Sequence, residues 1–240
     1  MKQYEQVIKV MDENGGFATL GFLNQNVDVS SWETITPYAS IRRIVQDERY
    51  FFKIKPGLWG LRNKERNILE KLNISDISNK YEIESFNHSY YQGLIVEIGN
   101  LKGFNTYVPA QDKNKSFLET KLGMIANTSE IFDFSYPNVV SNAKTVDVIW
   151  FNQRKMPSYF FEIEHTSNFE HSLIKFVSLQ DFYAKFYIIA SKIREQEYNE
   201  NMKKDAFFQL SKEKRVEFKD YEAISALHTK SYEIYKIGDL

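Results

Sequence analysis

The stretch that decides the fold is a pair of apolar runs, Lys144-Thr-Val-Asp-Val-Ile-Trp-Phe151 and Tyr159-Phe-Phe-Glu-Ile-Glu-His165. Each run is short and rich in β-branched and aromatic residues, which predicts two β-strands. The residues between them, 152–158, include Pro157 and predict a hairpin loop. In an antiparallel pair closed by this loop, facing residues have numbers that sum to about 309, so Asp147 faces Glu162.

These two predicted strands carry three carboxylates in apolar surroundings. Glu162 and Glu164 are two residues apart and share a face of their strand, while Asp147 lies between Val146 and Val148. Burial of unpaired negative charge is very unfavourable, and a hard cation such as Mg²⁺ removes that penalty by binding carboxylates, waters and substrate oxygens. The pattern therefore predicts a metal site; the alternative for the two glutamates is the solvated face of a half-buried sheet.

Composition bounds the class of protein. The chain has 240 residues, of which 42% are hydrophobic and 15% aromatic, so it is long enough to bury a core and is not disordered. It has no cysteine, which excludes disulfides, thiolate zinc sites and cysteine nucleophiles. The four histidines show no helical ligand spacing, so a histidine metal cluster is not expected. We expect a soluble, cytoplasmic protein without a membrane partner, since no apolar run has the length of a membrane span.

The first 62 residues predict three helices followed by a hairpin. The helices begin near Tyr4, Thr19 and Thr36, with the two threonines as caps and a proline after the second of them. Phe51-Phe-Lys-Ile-Lys-Pro-Gly-Leu-Trp-Gly-Leu61 reads as two strands joined by a tight turn at its Pro-Gly pair. Three helices followed by a hairpin is the order of a winged helix.

In a DNA-binding domain of this kind the third helix enters the major groove and the hairpin lies along the backbone. The net charge of −1 argues against non-specific coating of nucleic acid, yet residues 42–66 carry eight basic residues against three acidic ones. Use of the winged helix for protein contacts alone is the alternative. The candidate DNA-binding residues lie on the third helix and the hairpin: Tyr38, Ser40, Arg42, Arg43, Lys53 and Lys55.

Three phrases in this segment carry a family resemblance. They are Gly15-Gly-Phe-Ala-Thr19, Thr36-Pro-Tyr-Ala-Ser-Ile-Arg-Arg-Ile44 and the hairpin sequence of residues 51–61. Together they resemble the HARE-type helix-turn-helix domain found in some bacterial restriction endonucleases and eukaryotic chromatin proteins. The resemblance implies DNA binding and leaves open a preference for modified bases.

The rest of the chain predicts a second domain. Residues 63–87 are polar and read as a linker, so the predicted division is 1–62, 63–87 and 88–240. A helix is predicted from His88 to Phe104, an extended run to Pro109, then the two strands above, a helix from His171 and a strand ending at Ala190. The expected fold class is α+β or α/β, with a mixed β-sheet flanked by helices.

The order helix, strand, strand, strand, helix, strand resembles the core of the PD-(D/E)xK nuclease superfamily. That family places an acid on the second strand and an acid-x-lysine on the third. Asp147 and Glu162 match the two acids, while Glu164 stands where lysine is usual, a departure found in a subset of restriction endonucleases. The phrase that begins at Glu97 resembles the first helix of such enzymes, whose glutamate reaches into the active site.

The resemblance implies a Mg²⁺-dependent type II restriction endonuclease. Asp147, Glu162 and the backbone carbonyl of Ile163 are the expected metal ligands. Glu164 would bind a second metal or orient the attacking water, and Glu97 would hold a metal-bound water. Lys175, on the following helix, either contacts a phosphate or is simply exposed to solvent.

The expected partners follow from the same hypothesis. They are double-stranded DNA, a second copy of the chain, since cutting a palindrome usually takes two active sites, and a DNA methyltransferase encoded nearby. Two alternatives remain open at this point. One is an endonuclease that depends on DNA modification, and the other is a non-catalytic winged-helix regulator with a vestigial nuclease fold.

Overall fold

The structure, a computed structural model, describes residues 1–237 in two compact units. The first unit comprises Met1–Ile83 and the chain from Ser225 onward, and the second comprises Glu84–Ile224. The division predicted from sequence, 1–62, 63–87 and 88–240, remains a prediction. It differs from the compact units because most of the supposed linker is helical and because the last helix returns to the first unit.

The first unit contains the predicted three helices followed by a hairpin. Its elements are α1 (Gln3–Glu13), β1 (Phe17–Thr19), α2 (Leu20–Asn26), α3 (Pro37–Ile44), β2 (Phe51–Lys55), β3 (Leu58–Leu61), a 3₁₀ turn (Arg62–Lys64) and α4 (Glu65–Lys71). The strands form one antiparallel sheet in the order β1-β3-β2. A core of apolar side chains from the three helices and the sheet holds these elements together.

Local chemistry explains where these helices begin. Thr19 caps α2 as predicted, since its hydroxyl accepts a 3.1 Å hydrogen bond from the Phe22 amide. Thr36 was expected to cap α3 in the same way, but its side chain makes no capping bond. Instead Pro37 starts this helix, where a residue without an N–H and with a fixed φ is well suited.

The second unit is built on a five-stranded sheet. Its elements, including the ends that extend into the first unit, are α5 (Lys80–Leu101), β4 (Asn105–Tyr107), β5 (Ser116–Phe117), β6 (Thr120–Lys121), α6 (Leu122–Ile125), α7 (Pro137–Ala143), β7 (Val148–Phe151), β8 (Pro157–Glu164), α8 (Phe169–Val177), β9 (Lys185–Ala190), a 3₁₀ turn (Lys192–Arg194), α9 (Glu195–Met202), a second 3₁₀ turn (Asp205–Phe207), α10 (Phe208–Lys212), β10 (Val216–Asp220) and α11 (Tyr221–Ile237). The strand order is β10-β9-β8-β7-β4. Strands β8, β9 and β10 are parallel and the other pairs antiparallel, so the predicted mixed sheet and α+β class are confirmed.

The predicted register of the β7–β8 pair is also confirmed. Val148 pairs with Phe161 and Ile149 with Phe160, as the sum of 309 requires. The predicted start of the first strand at Lys144 is wrong. Two turns at the end of α7 use the amides of the residues that follow Lys144, so the strand begins at Val148 and Asp147 precedes it.

Helices cover both faces of this sheet. One face packs against α8, α9 and α10 around a continuous apolar core, in which the rings of Phe160 and Phe186 stack with centroids 5.3 Å apart. On the other face α5 passes so close that a Cβ at Gly99 would lie 2.6 Å from atoms of Thr106 and Trp150. No helix within residues 1–237 is long and apolar enough to cross a lipid bilayer.

Candidate active site

Three carboxylates lie where β7 begins and β8 ends, at the end of this strand pair opposite the hairpin loop. This is the position that the register predicts. Asp147 is 8% exposed, Glu162 3% and Glu164 4%. Glu162 and Glu164 alternate with Ile163, so both point to the face of the sheet that α8 covers. The carboxylates are therefore buried, and the solvated-face alternative does not describe them.

Asp147 is anchored to the neighbouring strand through backbone. Its Oδ2 accepts a 2.7 Å hydrogen bond from the Ile163 amide, and its Oδ1 lies 3.5 Å from His88 Nε2. Burial alone would raise the pKa of Asp147, but the hydrogen bond and charge of His88, with the Ile163 N–H, hold it below its usual value. The N–H and C=O of one strand residue point toward the same neighbouring strand. Because the Ile163 N–H points toward Asp147, we expect the Ile163 carbonyl to point toward it as well.

Glu162 is the most deeply buried of the three carboxylates and is contacted by two residues of α8. Lys175 Nζ lies 2.9 Å from both of its oxygens, and Ser172 Oγ donates to Oε2 at 2.9 Å. Burial, followed by the negative charge of Asp147, raises the pKa of Glu162 to about 8, although Lys175 and Ser172 act in the opposite direction. Glu162 therefore holds its proton more tightly than an exposed glutamate does.

Helix α8 supplies the polar groups that meet the two glutamates. Ser172 and Lys175 are three residues apart and so share one face of this helix. The hydroxyl of Ser172 also donates to Glu164, which accepts a second bond from Ser167. Burial alone would lower the pKa of Lys175, but the three carboxylates outweigh burial and raise it, so the ammonium stays charged.

The lysine that contacts Glu162 comes from α8 and not from β8. In sequence, Glu164 stands where lysine is usual, and no cation follows Glu162 on its strand. In space, Lys175 reaches the same carboxylate from α8 and also donates to the Thr145 carbonyl at 3.0 Å. The solvent-exposed alternative for Lys175 does not hold, because its ammonium is engaged at the carboxylates.

Helix α5 brings residues to the site that the sequence analysis missed. His88 faces Asp147, and Gln92 Nε2 donates to the Asp147 carbonyl at 2.7 Å and to Asp112 Oδ2 at 3.0 Å. Glu97 is nine residues beyond His88, which at about 100° per residue places it on the opposite side of the helix. Its role at the site remains a prediction, and the helix face that meets Asp147 belongs to His88 and Gln92.

Two of these residues could have been found from the sequence. His88 and Gln92 are spaced i and i+4 on the predicted helix, so they could have been read as a pair of polar side chains on one helix face. Asp112 had no such signal, since it lies in an irregular turn after Pro109. Its approach to His88 depends on the path of that loop.

The candidate DNA-binding residues of the first unit differ in their surroundings. Arg42, Arg43 and Lys53 are exposed, although Arg42 lies 3.8 Å from Glu233. Lys55 is half-buried, and burial lowers its pKa.

The side chains of the two remaining candidates make contacts within their own unit. Ser40 is half-buried and donates to the Thr36 carbonyl at 3.4 Å. Tyr38 packs against the apolar core of its unit. Of the six candidates, Arg43 and Lys53 therefore present the most accessible charge.

Several other basic residues of segment 42–66 are already paired with carboxylates. These ion pairs are Arg49–Asp47 at 2.6 Å, Arg62–Glu65 at 2.8 Å, Lys64–Asp12 at 2.5 Å and Arg66–Glu70 at 2.9 Å. The accessible positive charge is therefore smaller than the sequence count suggests.

A mixed sheet with helices on both faces and buried carboxylates at one strand end defines an α+β domain of the nuclease-like class. Residues 71–237 match the family described as the type II restriction enzyme NmeDI C-terminal domain. This match spans more than half of the 240 residues, so the chain belongs to that family. No curated protein matches the chain significantly, and no solved structure does.

Proposed function

We propose that the chain is a site-specific type II restriction endonuclease that hydrolyses DNA phosphodiester bonds with Mg²⁺ at a PD-(D/E)xK-type site. The observation that carries the proposal is the buried group of Asp147, Glu162 and Glu164 with Lys175 against it, in a domain of a restriction-enzyme family. A purely structural cluster has no reason to gather three buried carboxylates around one lysine, because each unpaired charge is destabilising.

The donor set fits Mg²⁺. Asp147 and Glu162 offer carboxylate oxygens, and the Ile163 carbonyl is directed to the same side, which gives the all-oxygen surroundings that this ion prefers. Burial and the charge of Asp147 raise the pKa of Glu162 to about 8, and a bound cation would favour its charged form. Mg²⁺, when bound, would offset the charge of the phosphodiester and lower the pKa of a bound water.

The protein's own residues would do the remaining work. Lys175, which stays charged and reaches Glu162, is placed to neutralise a non-bridging phosphate oxygen. Two serine hydroxyls orient Glu164, which can then accept the proton of an attacking water. The interaction of Asp147 with Ile163 fixes one carboxylate relative to the other.

The first unit would bind double-stranded DNA as a HARE-type winged helix. Its observed order of three helices followed by a hairpin supports this proposal, with Arg43 and Lys53 as the accessible cations on α3 and β2. Contacts from such residues to phosphates supply affinity and register rather than sequence choice. Cleavage of both strands at a palindrome would take a homodimer, and a companion methyltransferase would protect host DNA.

The test compares Glu162→Ala with the matched control Glu217→Ala. Glu217 lies on β10 of the same sheet, where it pairs with Lys219 at 3.0 Å. We expect the Glu162 variant to lose Mg²⁺-dependent plasmid cleavage while it still shifts DNA in a gel, and the control to cut as the wild type does. Cutting by Glu162→Ala at the wild-type rate would refute the proposal.

Two outcomes separate the alternatives. Methylated and unmethylated plasmids are digested in parallel, because a modification-dependent enzyme cuts only the modified DNA. A non-catalytic regulator would bind DNA, would cut neither substrate and would take up no Mg²⁺ at the carboxylates.

A further inference from the structure

On the side of Asp147 that faces α5, a second group of metal-ligating atoms converges. His88 Nε2 lies 3.5 Å from Asp147 Oδ1 and 4.0 Å from Asp112 Oδ2, and one donor atom from each residue lies within 4.8 Å of the others. Two donors each about 2.1 Å from one ion are at most about 4.2 Å apart, so a small adjustment lets all three bind one ion. We propose that His88, Asp112 and Asp147 form a separate site for a divalent transition-metal ion.

A buried amide at the same place is an independent sign of a missing partner. Gln92 is 0% exposed, and its Oε1 accepts no hydrogen bond from any residue within 1–237. Buried polar atoms of native proteins nearly always have partners. Its Nε2 donates to Asp112 Oδ2 and to the Asp147 carbonyl, so the amide lies directly beside two of the proposed ligands.

Hydrogen bonds from neighbouring residues orient these ligands, as the outer shell of a metal site does. Lys115 Nζ holds Asp112 Oδ1 at 2.6 Å, which leaves Oδ2 turned to His88. The Ile163 amide holds Asp147 Oδ2, which leaves Oδ1 turned to the same imidazole. Such outer-shell contacts fix first-shell ligands and tune their affinity for metal.

The types of donor atom indicate which class of ion the site would bind. Imidazole nitrogen suits Zn²⁺, Ni²⁺ and related ions, whereas Mg²⁺ takes oxygen ligands and keeps its waters. A set of one imidazole and two carboxylates therefore favours a transition metal from Mn²⁺ to Zn²⁺ over Mg²⁺. This site does not depend on the proposed nuclease function, although it shares Asp147 with the Mg²⁺ ligands.

The test uses Mn²⁺ as the probe on the full chain, with binding measured by calorimetry and nitrogen coupling measured by pulsed electron paramagnetic resonance. Wild type should bind Mn²⁺ with a coupled ¹⁴N nucleus. His88→Ala should lose that coupling and bind Mn²⁺ at this site at least about 100-fold more weakly, because even outer-shell losses cost 10–100-fold. The control is His171→Ala, which removes an exposed imidazole from α8 and should change neither reading.

Two further variants make every outcome decisive. Asp112→Asn keeps the imidazole and should show the same loss of affinity, which covers a failure of His88→Ala to fold. Glu162→Gln should keep the nitrogen-coupled Mn²⁺ whether or not it abolishes DNA cleavage, so failure of the nuclease proposal is told apart from failure of this one. Absence of ¹⁴N coupling in wild type, or wild-type Mn²⁺ affinity in Asp112→Asn, would mean that the cluster is only an ion-pair network.

Discussion

At the scale of single residues, Asp147 and Glu162 differ in the groups that partner them. Lys175 pairs with Glu162 at 2.9 Å, while Asp147 is partnered by His88 and the Ile163 amide. The acids consequently differ in proton affinity, with the pKa of Asp147 lowered and that of Glu162 raised to about 8. Such divergence between neighbouring carboxyl groups is common where acids have different roles in catalysis.

The role of Lys175 can be tested by removing its charge. Lys175→Met should lower the rate of DNA cleavage by about 100-fold or more, because a positioned cation that stabilises developing charge contributes on this scale. DNA affinity should fall by no more than the loss of one phosphate contact produces, which is far less than the fall in cleavage rate. The control is Lys185→Met, which removes an exposed lysine at the start of β9. Equal cleavage rates for the two variants would remove Lys175 from the mechanism.

The raised pKa of Glu162 predicts how stability depends on pH without metal. The folded protein holds a proton on Glu162 up to about pH 8, whereas an unfolded glutamate releases it near 4.5. This stabilisation is complete below the unfolded value and is lost as pH rises through the folded one. His88, whose pKa Asp147 raises in spite of burial, acts with the same sign above 6.5.

Thermal melts in a chelator should therefore show a lower melting temperature at about pH 9 than at about pH 5.5. Glu162→Gln should weaken this dependence and leave the part due to His88, because a glutamine has no proton to lose. A wild-type melting temperature that rises across this interval would contradict the assignment of the raised pKa to Glu162.

At the scale of elements, the hairpin was predictable, whereas the placement of the helices that pack against it was not. The β7–β8 register follows from the spacing of two apolar runs about one loop, so the grouping of Asp147 with Glu162 could be predicted from sequence. The contacts of His88, Asp112 and Lys175 depend on helix placement and loop path, which local patterns do not encode. Helices α7 and α11 were not predicted.

The close passage of α5 over the sheet makes a prediction about Gly99. A Cβ there would lie 2.6 Å from the side chains of Thr106 and Trp150, both buried. Gly99→Ala should lower the free energy of unfolding by about 1–2 kcal/mol, since overpacking outweighs the gain in helix propensity. Chemical denaturation measures this, with Lys102→Ala at an exposed position as control. A stabilised Gly99→Ala protein would mean that α5 lies farther from the sheet.

At the scale of the whole molecule, the two compact units differ in the functional residues that they carry. The second unit holds the carboxylates and most of the residues that match the restriction-enzyme family, and the first presents exposed cations on α3 and β2. Many of the basic residues counted in segment 42–66 are neutralised by ion pairs, so we expect few phosphate contacts from this unit. Few contacts imply weak non-specific binding, as the net charge of −1 also does.

The DNA-binding role that we propose for the first unit predicts a change in salt dependence. Arg43→Ala and Lys53→Ala should each weaken DNA binding and reduce the slope of log affinity against log salt by about 1, because each removes one phosphate contact. Arg66→Ala is the control, since that arginine is exposed in the same segment but paired with Glu70. Fluorescence anisotropy at several salt concentrations measures the slopes. Unchanged slopes in both variants would instead favour a protein-contact role for this unit.

The most direct test of the central claim is digestion of plasmid DNA by the purified protein, with the ends mapped by sequencing. With Mg²⁺, wild type should leave double-strand breaks at one short, recurring sequence, and a chelator should abolish them. If no Mg²⁺-dependent break appears in either methylated or unmethylated DNA, Asp147, Glu162 and Glu164 do not form a nuclease site.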